Sequence, residues 1–329
     1  MIPNRRRDFR LDCSALLLLL PLLAVSFVTA EPLFQSLTQQ VAIAVCATMG
    51  IYVMLRLGLL SFAVPAFMAI GGYAAAMLAK TGSANLLLLM AASAVVPALV
   101  AVPIGLLVLR LKGIYFVFVT FIFNEILQLL IFEAPGLTGG SNGIAGIPAA
   151  TIWGLELDSA SAVTAVTVAN CMVATVLSLV VTQRFRAEFS AIEENETLAE
   201  SLGVALWKYR TIGFITSAAV AGLAGLALVN MLSTAHPSSF STWSVNSYIA
   251  YVFIGGRGTM LGVLVGSVLL IVLTTAFSGY AQYSAGMFGV LLIFVMMVAP
   301  SGIVGAFIRL WDRDGSPRAR TAGQRMGEA

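Results

Sequence analysis

Apolar runs of about twenty residues follow one another along this chain with few charges between them. As a helix, about twenty residues rise ~30 Å, the thickness of a bilayer's hydrocarbon core. The runs are continuously apolar and do not alternate, so they read as membrane helices and not as barrel strands. Composition agrees, at 59% hydrophobic and 10% charged. Ten spans are expected, near 13–30, 35–55, 58–79, 85–109, 114–132, 159–182, 211–232, 245–256, 259–277 and 285–308.

Threading these spans from a cytoplasmic N-terminus sorts the basic residues. Seventeen of the eighteen Lys and Arg residues then share one side, including Arg5, Arg6, Arg7, Arg56, Arg110, Lys112, Arg184, Arg186, Lys208, Arg210, Arg257 and Arg309. Lys80 alone lies opposite. Lys/Arg bias sets orientation, so both termini are expected in the cytoplasm. The first segment follows three arginines and ends in a small-residue stretch at Ala30, as a secretory leader does; it is read as a retained span. The net charge of +3 reflects this bias, and no basic patch interleaved with aromatics points to nucleic acid. Cys13, Cys46 and Cys171 are isolated, and His236, the only histidine, stands beside Pro237 in an expected external loop. No metal site is expected from them.

One stretch breaks the apolar pattern. "IEENETLAESLGVALWKYR" (192–210) carries Glu193, Glu194, Glu196 and Glu200 on the side expected to be cytoplasmic. Phe189, Ile192, Ala199 and Leu202 recur at helical spacing, with Leu198 four residues before Leu202. Glu193, Glu194 and Glu196 suit the positive end of a helix dipole, and Gly203 falls where a left-handed residue would end the helix. A single short amphipathic helix is expected. By itself it serves equally as an interfacial cap on the bundle or as a docking element for a soluble partner.

Several blocks, taken together, resemble the permeases of branched-chain amino acid ABC importers. They are "LGLLSFAVPAFMAIGGYAAAML" (57–78), "LRLKGIYFVFVTFIFNEILQLL" (109–130), "LTGGSNGIAGIP" (137–148), "AIEENETLAESLGVALWKYRTIGFITSAAVAGLAGL" (191–226), "HPSSF" (236–240), "IGGRGTMLGVLVGSVLL" (254–270) and "APSGIVG" (299–305). The "LKGIYFVFVT" and "LTGGSNG" blocks resemble the M-type of that system's two permease subunits. The resemblance implies an all-α integral membrane fold of the type II ABC importer kind, with about ten transmembrane helices in inverted repeats. It divides the chain into 1–182, a coupling segment 183–210, 211–308 and a cytoplasmic tail 309–329. Glu193, Glu194, Asn195, Glu196, Ala199, Leu202 and Gly203 would then engage an ABC ATPase. A second permease of the H-type, a periplasmic substrate-binding protein and membrane lipid complete the implied partners, in a bacterial-type inner membrane. No G-x-x-x-x-G-K-[ST] occurs, so the chain binds no cofactor of its own, and ATP and Mg would belong to the ATPase. Several positions depart from the family's habit: Glu193 stands where Arg is usual, Glu188 and Ser190 where basic residues are usual, Val64-Pro65 where Gly-His is common, and Arg257 where a neutral residue is common.

Segment 58–79 is interrupted by Gly58, Pro65, Gly71 and Gly72, and segment 245–256 is short and ends at Gly255-Gly256. In an inverted repeat these occupy matching places, which points to the translocation path and to Ser61, Pro65, Gly255 and Gly256. Glu125 is the only acid well inside a span; with Asn124 it either lines the path or is a buried structural residue. Thr138, Gly139, Gly140 and Asn142 form a glycine-dense external block, read as a gate or binding-protein contact against the alternative of an ordinary loop. Gly258, Gly262 and Gly266 share one helical face and are expected to pack helices closely. An ion-coupled secondary transporter is the rival reading, since broken helices and a buried acid suit it too. An intramembrane enzyme would need a second catalytic group beside Glu125, and a passive scaffold would have no use for broken segments.

Overall fold

The computed structural model describes residues 31–152, 154–276 and 302–306, with isolated positions at 14, 18, 19, 21, 286, 289 and 297. The tail and most of the expected first and tenth spans lie outside the described residues. The helices are α1 (Pro32–Leu55), α2 (Val64–Lys80), α3 (Leu86–Val108), α4 (Ile114–Glu133), the one-turn α5 (Pro135–Thr138), α6 (Ala160–Arg184), α7 (Arg186–Glu194), α8 (Glu196–Ser201), α9 (Leu206–Leu232), α10 (Thr242–Gly255) and α11 (Met260–Ala276). Four two-residue strands, β1 (Ile144–Ala145), β2 (Thr151–Ile152), β3 (Leu155–Glu156) and β4 (Thr234–Ala235), form two antiparallel pairs, β1 with β4 and β2 with β3.

The chain is a multi-pass helical membrane protein. Among the described residues α1, α3, α4, α6 and α9 are each long and apolar enough to cross a membrane. Pro97 and Pro103 do not break α3, as membrane helices tolerate proline where neighbours or side chains satisfy the freed backbone groups. The eighth and ninth expected spans differ from the simple reading. Helix α10 has 14 residues and rises about 21 Å, too little to cross alone, and with α11 it forms a pair bent by 119°.

Packing is reciprocal. Helix α9 lies against α2 and α3, while α1 lies against α10 and α11, and α1 and α9 pack on each other. Two intertwined repeats would generate this pattern. Glycines make the approach possible: Gly71 of α2 faces the backbone of Gly222 in α9, Gly225 faces the Met68 carbonyl, and Gly222 faces the Ser93 carbonyl of α3. A Cβ at any of these would meet backbone. Polar side chains bridge other pairs: Ser217 Oγ of α9 donates to Gly50 O of α1 (2.7 Å), and Gln39 Nε2 of α1 to Thr164 Oγ1 of α6 (2.8 Å). Small residues and interhelical hydrogen bonds hold membrane helices together where lipid is as apolar as leucine.

Candidate functional site

A row of polar side chains marks one face of α4. Thr120, Asn124 and Gln128 recur every four residues and therefore line up along the helix. They occupy its middle, and each reaches the lead-in or the first residue of another helix. The Phe62 amide, in the unwound stretch before α2, donates to Thr120 Oγ1 (3.1 Å). Asn124 Nδ2 donates to Thr242 Oγ1 at the start of α10, and Gln128 Nε2 donates to Phe240 O (2.7 Å) just before it. Thr242 Oγ1 in turn donates to Glu125 Oε1. Two interrupted segments from opposite halves of the chain thus converge on one polar stripe.

Ser61 and Asn124 are buried, and Glu125 is exposed on the flank of the stripe, where its carboxylate accepts from the Thr242 hydroxyl. Asn124 Oδ1 has no hydrogen-bond partner among the described residues although the side chain is fully buried. Pro65 occupies the first turn of α2, where its missing amide costs nothing. Gly255 and Gly256 belong elsewhere. They end α10 at its far end, packed against Gly262 and Gly302, so the start of α10 meets α4 and its glycine end does not. Gly262 and Gly266 do lie in close backbone contact with α10. Gly258, expected on the same face, sits in the turn before α11, where a Cβ would meet open space. No cluster of metal-ligating side chains occurs among the described residues.

The acidic stretch folds as two helices, not one. Asn195 breaks it: its backbone is extended, and its Oδ1 accepts from the Leu198 amide (3.0 Å) to cap α8. Glu193 and Glu194 consequently end α7 and do not open a helix, whereas Glu196 is the first residue of α8. Gly203 takes φ +87°, with Gly203 N bonded to Glu200 O and Val204 N to Ala199 O, the paired bonds of a Schellman end. Phe189, Ile192 and Ala199 are buried with Leu57 in a small core of their own. Leu202, expected on that stripe, faces outward with Leu198 and is 75% exposed.

Ion pairs fasten this module to the membrane helices. Glu193 meets Arg56 (3.5 Å), which follows α1, and Arg56 also donates to Ser190 Oγ (3.2 Å). Glu196 meets Lys112 (3.2 Å) in the α3–α4 turn and Arg210 of α9. Arg210 is 3% exposed. The departure at Glu193 therefore finds its partner within the chain. Sequence reasoning missed Arg56, Lys112 and Arg210 as partners, because the connectors that carry them are distant in sequence. It also missed Thr120, Gln128 and Thr242, although the four-residue spacing of Thr120, Asn124 and Gln128 in an apolar span was a readable signal.

At the opposite end the glycine-dense block is folded. Thr138 Oγ1 donates to Ile131 O (2.6 Å) and Ala134 O (2.8 Å) and accepts from the Gly140 amide (3.2 Å). Gly139 and Gly140 take positive φ, and Gly143 runs against the Ala235 carbonyl where β1 meets β4. Thr138 and Gly140 are buried and Gly139 half-buried, so of the four residues read as a surface contact only Asn142 is exposed. His236 accepts from the Ser238 amide (3.2 Å) and so orders the "HPSSF" turn that leads to α10.

Comparison with known proteins agrees with this architecture. Residues 33–300 match the family described as the branched-chain amino acid transport system permease component. The high-affinity branched-chain amino acid transport system permease proteins LivM of Salmonella typhimurium and of Escherichia coli are each 30% identical over 274 residues, 75% of this chain and 64% of theirs. The chain thus spans less than two thirds of the length of those relatives. A probable branched-chain amino acid transport permease protein LivH of Methanocaldococcus jannaschii is 28% identical over 131 residues, 37% of this chain and 41% of its own. No solved structure matches. These relatives are named as transport permeases, a non-enzymatic role. On the extent of the family match and the LivM identity together, this chain belongs to the permease-component family of branched-chain amino acid transport systems.

Proposed function

We propose that the chain is the membrane-spanning permease subunit of an ATP-driven importer that passes branched-chain or other small amino acids from a periplasmic binding protein to the cytoplasm. The observation that carries this is the convergence of two interrupted segments on the Thr120–Asn124–Gln128 stripe. Transporters bind and pass cargo where discontinuous helices meet near mid-membrane. Glu125 and the unpaired Asn124 Oδ1 offer acceptors for an amino acid's ammonium group, and Ser61 borders the same path.

The α7–α8 module supplies the drive. Its inner face is packed and its ion pairs reach α1, α9 and the α3–α4 turn, so a push on it is felt by three membrane segments at once. Its outer face presents Leu198 and Leu202, apolar contacts for a groove on an ABC ATPase that holds ATP and Mg. On this reading the module and the Lys/Arg-rich end lie in the cytoplasm of a bacterial-type inner membrane, and a second permease, of the H-type, sits alongside.

The test is affinity purification of the tagged full chain from native membranes, wild type beside Leu202→Asp. An ATPase and a second permease recovered with wild type, and the ATPase lost from the variant, would sustain the reading. A chain recovered alone under conditions that keep known complexes intact, with uptake that follows membrane potential and not ATP, would replace it with an ion-coupled transporter.

A further inference from the structure

A cavity of about 550 Å³ opens beside the α7–α8 module, between the end of α3 and the start of α9. Arg110, Lys112 and Arg210 line it, with Glu200 at its wall and Trp207 and Leu106 among its apolar boundaries. Arg110 and Lys112 are exposed, while Arg210 is buried. Arg210 Nη2 lies against Glu196, but its Nε makes no hydrogen bond among the described residues. A buried guanidinium donor left unpaired is costly unless a ligand takes it up. With Glu196 and Glu200 counted against the three cations, the pocket keeps about one positive charge, which matches one phosphodiester and not a dianion.

The apolar side of the pocket continues up the outside of the protein. Val95, Leu99, Val102 and Leu106 recur at spacings of four and three along α3, and all are exposed. That stripe runs about 16 Å from Leu106, close to the depth of one bilayer leaflet. Trp207 is 67% exposed at the level of the basic residues, the place where aromatic side chains settle at a membrane surface. A free phosphate would use the cations and have no use for the stripe.

We propose that this cavity is a binding site for an anionic phospholipid of the cytoplasmic leaflet. The phosphodiester sits among Arg110, Lys112 and Arg210, the headgroup lies beside Trp207, and one acyl chain follows the α3 stripe. Basic pockets between membrane helices on the cytoplasmic side suit such headgroups. The site rests on the membrane reading and its orientation, and is independent of the cargo.

The test is native mass spectrometry of the full chain, purified with whatever partners it retains and exposed in turn to phosphatidylglycerol, phosphatidylcholine and inorganic phosphate. Wild type should retain phosphatidylglycerol several-fold better than phosphatidylcholine. Arg110→Gln, at an exposed residue outside the Glu196 ion pairs, should lower that retention about fivefold, and Arg110→Lys should restore most of it. Unchanged melting temperatures would show that both variants fold. Equal retention of the two lipids, or full retention by Arg110→Gln, would overturn the proposal. Displacement of the lipid by millimolar inorganic phosphate would overturn it too, by assigning the pocket to free phosphate.

Discussion

Helices α1 and α9 have 89% and 83% of their most apolar stretches buried; the figure for α3 and for α4 is 22%. Yet α3 is the most apolar of the membrane-length helices described, and α1 the least. In water this order would be inverted. Between lipid and protein there is little to gain by hiding a leucine, so apolarity does not select the centre of the bundle. What selects it is the ability to approach closely and to bond across. Helix α1 buries Gln35, Thr38, Gln39 and Thr48, and α9 buries Ser217, Gly222 and Gly225. Helices α3 and α4 instead present leucine, isoleucine and phenylalanine outward.

The sharpest way to break this contrast is to thicken both kinds of helix. Gly225→Val drives a branched side chain into the Met68 carbonyl of α2, an overpacking that costs about 1–3 kcal/mol or more where backbone must move. Its level in the membrane, read by immunoblot, should fall at least tenfold. Leu107→Phe, on the exposed side of α3, should stay within twofold of wild type. Equal levels for the two would show that α9 is no more constrained than α3.

A smaller effect is expected where the charged end is fastened. Glu196→Gln removes the carboxylate shared by Lys112 and Arg210 and leaves Arg210 buried without a counter-charge. Because Glu196 is partly solvated, the loss should be about 1–3 kcal/mol, less than for a fully buried pair. It would appear as a melting temperature lowered by several degrees. Adding Arg210→Met should recover most of it, since an apolar side chain replaces the orphaned charge. No shift in the single variant would mean that the ion pairs do not hold the module.

The least effect on stability is expected beside the polar stripe of α4. Glu125→Gln keeps the shape of an exposed side chain, so the melting temperature should change by no more than about 1 °C, as surface substitutions usually do. Uptake should nonetheless fall several-fold. Normal uptake would remove Glu125 from the path.

Much of this was legible in the chain. The membrane class, the positions of the long helices and the left-handed end at Gly203 follow from run length, charge and glycine chemistry, which are local. The break at Asn195 was equally local: an Asx residue followed three positions later by the amide it caps, read past because the glutamates on either side suggested one continuous helix. The destinations of Glu193 and Glu196 were not local, since Arg56, Lys112 and Arg210 reach them only through the tertiary fold. Gly255 and Gly256 show a different limit. A glycine pair signals that backbone comes close to something, and whether that is a passing solute or a neighbouring helix depends on a partner the segment does not contain.

The contact between Gly71 and Gly222 also bears on how the protein is made. The groove on α2 is complete in the membrane roughly 150 residues before the helix that fills it leaves the ribosome, an interval of about 8–30 s at ordinary rates of synthesis. During that time α2 and α3 have no α9 to pack on, and their small-residue faces must be covered by lipid, by the insertion machinery or by each other. Slow or stalled translation between residues 109 and 206 should therefore harm this chain more than the same delay after residue 232, when α9 has already arrived.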